Sequence, residues 1–310
     1  MGMYCFGIDV GGTSVKCGLF LTNGTLVEQW EIPTRLENNG SSILPDVADA
    51  IKTKLDERGI TKDNVDGVGI GIPGPVNENG EVPMAVNLHW GFKAVASELS
   101  ALTGLPAKAA NDANIAALGE AWKGAAEGSK NVILVTLGTG VGGGIIIDSK
   151  IIAGYHGAGG EIGHACVNHN EVRPCNCGNH GCLEQYASAT GVVRLAKRRL
   201  AKNDDETILR EEEITAKAVF DAVKANDAVA MEIAEEFGRY LGYALANLAT
   251  AVDPSVIVIG GGVSKAGEVL LQYIEKYFRE RMFFANAKVQ FALAKLGNEA
   301  GICGAAKLIL

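Results

Sequence analysis

The chain is 310 residues long, 47% hydrophobic and 21% charged, with a formal net charge of −8. That length and apolar content suit two domains of ordinary size, and an acidic balance without a basic cluster argues against a nucleic-acid partner. No apolar run approaches the ~18 residues a bilayer span needs, and the opening MGMYCFGIDVGG has no cationic region followed by a long apolar stretch, so no membrane association or secretory signal is expected.

Short β-branched runs bounded by Gly, Asn or Pro predict strands, and apolar residues at helical spacing predict helices. In chain order, strands are expected over 4–9 and 14–20, a helix over 43–59 closed by Gly59, a strand over 65–72, and helices over 93–103 and 113–124. Strands follow over 131–137 and 143–148, then helices over 188–202, 215–225 and 227–251. A strand over 256–260, a helix over 264–282, a strand over 288–294 and a helix over 299–308 complete the pattern. Alternating strands and helices define an α/β protein.

Two segments repeat one layout. FGIDVGGTSVKCGLF from Phe6 and ILVTLGTGVGGGIIID from Ile133 are each strand, glycine turn, strand. Two such hairpins far apart in the chain suggest two domains of one design. The expected division is 1–110 plus 297–310 as a small domain and 111–296 as a large one, with a metal-binding loop over 160–184.

Five motifs carry chemistry. In D9-V-G-G-T, the glycines Gly11 and Gly12 permit a tight turn with outward N–H groups, Thr13 adds a hydroxyl, and Asp9 suits a hydrated magnesium ion. The competing reading is an ordinary hairpin turn with a solvated aspartate. Gly138, Thr139 and Gly140 repeat that turn chemistry, so the two together suit one polyphosphate. Gly260, Gly261 and Gly262 lie between a strand and a helix and permit close approach of a flat ligand such as a purine, or simply close packing. In A110-N-D-A-N114, Asp112 is either a helix cap or a general base accepting a hydroxyl proton, with Asn111 beside it for hydroxyl hydrogen bonds.

The fifth motif is GEIGHACVNHNEVRPCNCGNHGCLE, Gly160 to Glu184. One histidine and three cysteines fill a closed tetrahedral zinc site. Cys175, Cys177 and Cys182 supply the thiolates, and His164 is the preferred imidazole, with His169 or His180 as alternatives. Glu161 and Glu184 bracket the segment, either as functional carboxylates or as support for the metal ligands. The remaining cysteines, Cys5, Cys17, Cys166 and Cys303, are expected to be buried fillers. An odd cysteine count with a metal-like cluster fits a reducing cytoplasm.

Together these motifs resemble the repressor–open reading frame–kinase (ROK) family of bacterial sugar kinases and regulators. LGTGVGGGIIIDSKIIAGYHGAGGEIGH, Leu137 to His164, is similar to that family's signature, and CNCGNHGCLE to its zinc segment. Within the family the chain looks most like the ATP-dependent glucokinases of bacteria. The resemblance implies an actin-like ATPase fold: two ribonuclease-H-like domains with a cleft between them. It further implies ATP, Mg2+ and a structural Zn2+, and phosphorylation of glucose at the 6-hydroxyl. Asp112 becomes the catalytic base; Gly71, Pro73, Asn111, Asp112, Glu161, His164 and Glu184 become the sugar-binding set. Asp9, Gly11, Gly12, Thr13, Lys16, Gly138, Thr139, Gly140, Gly260, Gly261 and Gly262 become the ATP and magnesium set. His164 would serve zinc with one ring nitrogen and the sugar with the other.

A homodimer or homotetramer is implied, with the long 227–251 helix as an interface element. Other hexoses, namely N-acetylmannosamine, N-acetylglucosamine, mannose, allose and fructose, remain rival substrates, and polyphosphate a rival donor. A sugar-responsive repressor would carry a helix-turn-helix before the phosphate turn, which here begins by residue 11. A non-catalytic sugar sensor is disfavoured by Asp112 and the two glycine turns.

Overall fold

The computed structural model describes residues 2–211 and 213–310. The chain forms two compact units. The first holds residues up to Lys130, then Gly144–Gly160 and Lys295–Leu310; the second holds Asn131–Gly143 and Glu161–Ala294.

The first unit opens with β1 (Tyr4–Val10), β2 (Ser14–Leu21) and β3 (Leu26–Pro33), each antiparallel to its predecessor. A single turn, α1 (Glu37–Gly40), precedes α2 (Ile43–Arg58). The apolar residues of α2 fall on one buried face, from Ile43 to Leu55, and Gly59 ends it in the left-handed conformation, φ 63°. Next come β4 (Val65–Ile72), α3 (Val95–Thr103), β5 (Ala107–Asn111) and α4 (Asp112–Lys123). The sheet order is β3-β2-β1-β4-β5, with β4 parallel to both β1 and β5. The parallel strands bring Asp9, Gly71 and Asn111 to their carboxyl ends, where open α/β sheets bind ligands.

The chain then enters the second unit with β6 (Val132–Leu137) and β7 (Val141–Ile147). Beyond Gly143, β7 belongs to the first unit, where Ile146 and Ile147 pair antiparallel with β8 (Lys150–Ile151). The second unit resumes with α5 (Glu184–Ala187), α6 (Ala189–Leu200), α7 (Ala216–Lys224) and α8 (Ala228–Val252). Ser188, Thr215 and Asp227 cap the last three helices through side-chain acceptors. β9 (Val256–Gly260), α9 (Glu268–Arg281) and β10 (Gln290–Leu293) follow, with β9 parallel to β6 and β10. Its core gathers Tyr186, Phe220, Phe237 and Phe278 around β6 and β9. The apolar positions of α8 are mostly buried inside this core. α9 starts four residues later than expected because Gly267, at φ 83°, interrupts the backbone before it.

α10 (Ala300–Ile309) closes the first unit. It lies on the sheet through glycines: a Cβ on Gly7 would sit 1.9 Å from the Ile302 carbonyl oxygen, and one on Gly69 1.7 Å from that of Ala305. It also meets α4 closely, since a Cβ on Gly304 would sit 1.6 Å from the Ile115 carbonyl oxygen. Ala110, Ile115 and Ala305 pack together at this junction. Residues 111–130 therefore cluster with the first unit, as do 144–160, whereas the expected division placed both stretches with the second.

Glu120, wholly buried on α4, holds the returning chain. Its carboxylate accepts from the backbone N–H groups of Leu296 at 2.8 Å, Lys295 at 3.2 Å and Ala125 at 2.7 Å. Among the described residues no helix is long and apolar enough to cross a membrane.

The contact at Gly304 leaves no room for a side chain. Gly304→Ala should lower stability by about 1–3 kcal/mol, as overpacked cores do. Gly91→Ala, which meets nothing within 4 Å, should leave the thermal midpoint unchanged. Thermal unfolding of the two variants checks this, and equal midpoints would refute the close-packing account.

Candidate functional site

Asp9 is the penultimate residue of β1 and is half-buried. Burial first, and the nearby Asp112 carboxylate second, push its carboxyl from 3.8 up to about 6, with Lys16 opposing. Lys16 is its direct antiparallel partner on β2. The other wall is backbone: a Cβ on Gly301 of α10 would sit 2.3 Å from Asp9 Oδ2. A half-buried carboxylate with only partial cationic compensation fits a hard, hydrated divalent cation such as magnesium.

The glycine turn after β1 is fastened from β3. Thr34 Oγ1 donates to the Gly11 carbonyl at 2.7 Å, and its N–H donates to the Thr13 carbonyl at 3.0 Å. Gly11 N–H closes the turn on the Ser14 carbonyl, while Gly12 faces open space. Thr34 carried no signal in the sequence, because only the β3 register brings it beside residue 11.

At α4 the two readings of the NDAN motif separate. Asn111 is the cap: its Oδ1 accepts from Ala113 N–H at 2.9 Å and Asn114 N–H at 3.2 Å. Its Nδ2 donates to the Gly74 carbonyl at 3.0 Å, tying the turn that contains Pro73 to the helix start. Asp112 is the first helical residue, and its Oδ1 accepts from Ala113 N–H at 2.8 Å. Capping thus falls to Asn111, which keeps one amide hydrogen for another partner. Gly71 has a packing role as well, since a Cβ there would meet Ile115 at 2.0 Å.

In the second unit, Gly138 N–H closes its turn on the Gly140 carbonyl at 3.0 Å. The turn is tied to the start of α6: Ala189 N–H donates to the Gly138 carbonyl and Thr190 Oγ1 to the Thr139 carbonyl. Gly138 and Gly262 face open space. Gly261, at φ 83°, is needed for the backbone itself, because a Cβ there would sit 2.5 Å from Leu137 N. Gly260 packs near Ala294. A cavity of about 350 Å³ borders Gly262, with Ala189, Phe220, Val263 and Ala266 as apolar walls and Lys217 and Asp221 as polar ones. Size and lining suit a purine ring.

His164, Cys175, Cys177 and Cys182 bring four ligand atoms within 4.8 Å of one another. The Cys177 and Cys182 sulfurs are 3.6 Å apart, and Cys175 Sγ lies 3.8 Å from His164 Nδ1. A zinc tetrahedron with Zn–S of about 2.3 Å has edges of about 3.8 Å. The donor set therefore fits zinc, with His164 as its imidazole and neither His169 nor His180 in the group. His169 Nδ1 lies instead 3.5 Å from Cys166 Sγ. Cys166 is exposed, against the expectation of a buried filler, while Cys5, Cys17 and Cys303 are buried. Burial pushes the thiols of those three up to about 12.

Glu184 begins α5 and faces the same group, with Oε1 2.9 Å from Cys175 Sγ and 3.9 Å from His164 Nδ1. Its Oε2 comes within 2.7 Å of where a Gly140 Cβ would stand, so it also borders the glycine turn. Glu161 is exposed, and its carbonyl accepts from His164 N–H at 3.1 Å. Behind the loop, Glu171 binds Arg194 and the Tyr186 hydroxyl. Burial pulls the Glu171 carboxyl upward, but hydrogen bonds from Tyr186, the Arg173 N–H and Arg194 hold it down at about 2.

Two glycine turns, a carboxylate at a helix start and a cysteine–histidine group in this order match one family along almost the whole chain. The ROK family model matches residues 5–310. A glucokinase from Halalkalibacterium halodurans is 43% identical over 312 residues, covering 98% of this chain and 94% of that protein. A xylose repressor from Caldicellulosiruptor bescii is 29% identical, over 98% of this chain and 77% of the repressor. The crystal structure of a ROK family glucokinase from Streptomyces griseus in complex with glucose and AMPPNP superimposes with a TM-score of 0.74, at 35% identity and 98% coverage of both chains. The chain belongs to the ROK family. Its two mixed α/β sheets are those of the actin-like ATPase fold.

An acid held above its ordinary value keeps its proton better in the folded state, so folding loses stability as pH rises from 3.8 to about 6 and bears the full cost above that. Asp9→Asn should therefore stabilise the ligand-free protein at pH 7 by at most about 3 kcal/mol and so raise its thermal midpoint, with the gain fading by pH 4. A midpoint difference independent of pH would refute the desolvation of Asp9. Cys177→Ala should abolish stoichiometric zinc, measured by elemental analysis, and lower the unfolding midpoint; full zinc retention would contradict the four-ligand site.

Proposed function

We propose that the chain transfers the γ-phosphoryl group of ATP to the 6-hydroxyl of glucose, giving glucose 6-phosphate and ADP. The observation that carries this reading is the division of labour at α4: Asn111 caps the helix, so Asp112 is not needed as the cap. Identity to glucokinases over nearly the full chain supports glucose as the acceptor.

Asp112 takes the proton of the sugar hydroxyl while that oxygen attacks phosphorus and the bond to the β-phosphate oxygen breaks. Most of the acceleration comes from alignment and from charge stabilisation at the phosphoryl oxygens. Asn111, Glu161, His164 and Glu184 address sugar hydroxyls, and Gly71 and Pro73 belong to the same sugar-binding set. Carboxylates, an amide and an imidazole suit a neutral polyol, since each pairs with a hydroxyl. Gly11, Gly12 and Thr13, with Gly138, Thr139 and Gly140, address the phosphates; Lys16 adds positive charge, and Gly260, Gly261 and Gly262 border the adenosine. Asp9 would hold magnesium, which supplies neutralisation of phosphate charge when bound. His164, Cys175, Cys177 and Cys182 would hold zinc, which supplies no reactive centre and fixes the loop bearing Glu161 and Glu184. Dependence on ATP places the reaction in the cytoplasm, and the assembly is a homodimer or homotetramer.

Asp112→Asn should leave sugar binding intact and lower kcat by at least ~10²-fold. Near-normal turnover would remove Asp112 from the mechanism. Coupled ADP-release assays across glucose, mannose, allose, fructose and the N-acetylhexosamines test the acceptor, with polyphosphate as a second donor. An N-acetyl sugar preferred by more than about tenfold in kcat/KM, roughly 1.4 kcal/mol in transition-state binding, would reassign the substrate. Sugar binding without turnover of any hexose would favour the non-catalytic sensor.

A further inference from the structure

A cavity of about 300 Å³ adjoins the cysteine–histidine group, wholly within the second unit. Thr139, Gly140 and Thr190 form one wall, Glu184 another, and Arg173 and Arg194 supply its cations. The two arginines differ. Arg194 is neutralised by Glu171 and lies over the Tyr186 ring, 5.0 Å from its centroid. Arg173 is exposed, and its guanidinium has no ion pair or hydrogen bond among the described residues.

Its backbone, by contrast, is held from both sides. The N–H donates to Glu171 Oε1 at 3.0 Å, and the carbonyl accepts from Gln185 Nε2 at 3.0 Å. Arg173 also lies two residues before Cys175, at the edge of the metal loop. The result is a fixed Cα carrying an uncommitted planar cation into a cavity shared with a glycine turn.

We propose that Arg173 contacts the phosphates of the donor nucleotide at the Thr139–Gly140 turn, and so is a further catalytic residue of the chain. This rests on the kinase reading above. The cavity joins the turn assigned to phosphate to Glu184, assigned to sugar, which is the direction in which the phosphoryl group travels. Charge spreads over the phosphoryl oxygens during that transfer, and a guanidinium fork matches such oxygens better than an ammonium does. The loop then has a second task besides holding carboxylates: it carries a positive charge to the phosphate side.

The test is Arg173→Ala and Arg173→Lys in the full-length, zinc-loaded protein. Arg173→Ala should lower kcat/KM for ATP by about 10²-fold, the loss typical of one charge-stabilising donor. KM for the sugar and zinc content should stay unchanged, and Arg173→Lys should recover only part of the loss. A loss of activity that tracks lost zinc or weakened sugar binding would show a structural role and overturn the proposal. So would unchanged kinetics toward ATP in a chain whose wild type turns over, which leaves the kinase reading standing. If the wild type phosphorylates no hexose, the kinase reading fails by itself. Calorimetric titration with ADP then decides for Arg173: affinity weakened by Arg173→Ala supports the contact, and equal affinity overturns it.

Discussion

The first unit depends on the backbone-to-backbone contact of its last helix with its sheet. Gly7 and Gly69 have no side chains to hold α10 off, and Gly304 lets the same helix press on α4. Because α10 comes that close, Gly301 covers Asp9 and strips water from its carboxylate. The raised affinity of Asp9 for a proton and its suitability for a divalent cation follow from one packing arrangement. A looser helix would give the same residue an ordinary, hydrated carboxylate.

The second unit solves a different problem. Its sheet is thick with apolar side chains, yet the loop from Glu161 to Cys182 contributes only Ile162, Cys175 and Cys182 to the buried apolar set. Four soft donors gathered within 4.8 Å replace the missing core. Glu184 then connects this group to the glycine turn after β6, approaching Cys175 with one oxygen and Gly140 with the other. The cysteine–histidine loop and the glycine turn after β6 are thereby parts of one local framework, with Ser188 and Thr190 at the start of α6 tying in the turn.

Most helices and the central strands were legible because each buries one regular apolar face, as α2 and β9 do. β3 was not, because LVEQWEIP is an edge strand that turns Gln29 and Glu31 to solvent and spends Glu28 on ion pairs with Lys54 and Arg58. β5 was not, because AKAAN has no β-branched residue and is defined by its pairing with β4. At the site, local motifs showed themselves and distant partners did not. Asp112 beside Asn111 could be read in the chain, but only coordinates tell that Asn111 is the cap. Thr34, Gly301 and Glu120 lie far in sequence from what they hold, and nothing near them distinguishes them from ordinary residues. The domain boundary slipped for the same reason: α4 follows the expected break, but its partner is α10, at the far end of the chain.

The position of α10 bears on how the chain is made. Its buried face fills the first unit, yet in chain order it follows every residue of the second unit. During synthesis β1 to β5 must wait with Gly7 and Gly69 uncovered, while every residue of the second unit has already been translated. The second unit can therefore fold before α10 has been made, and the first, including the environment of Asp9, is completed only once α10 is available to pack. The environment of Asp9 thus matures after the second unit, and Glu120, by accepting from the Lys295 and Leu296 N–H groups, sets where α10 docks.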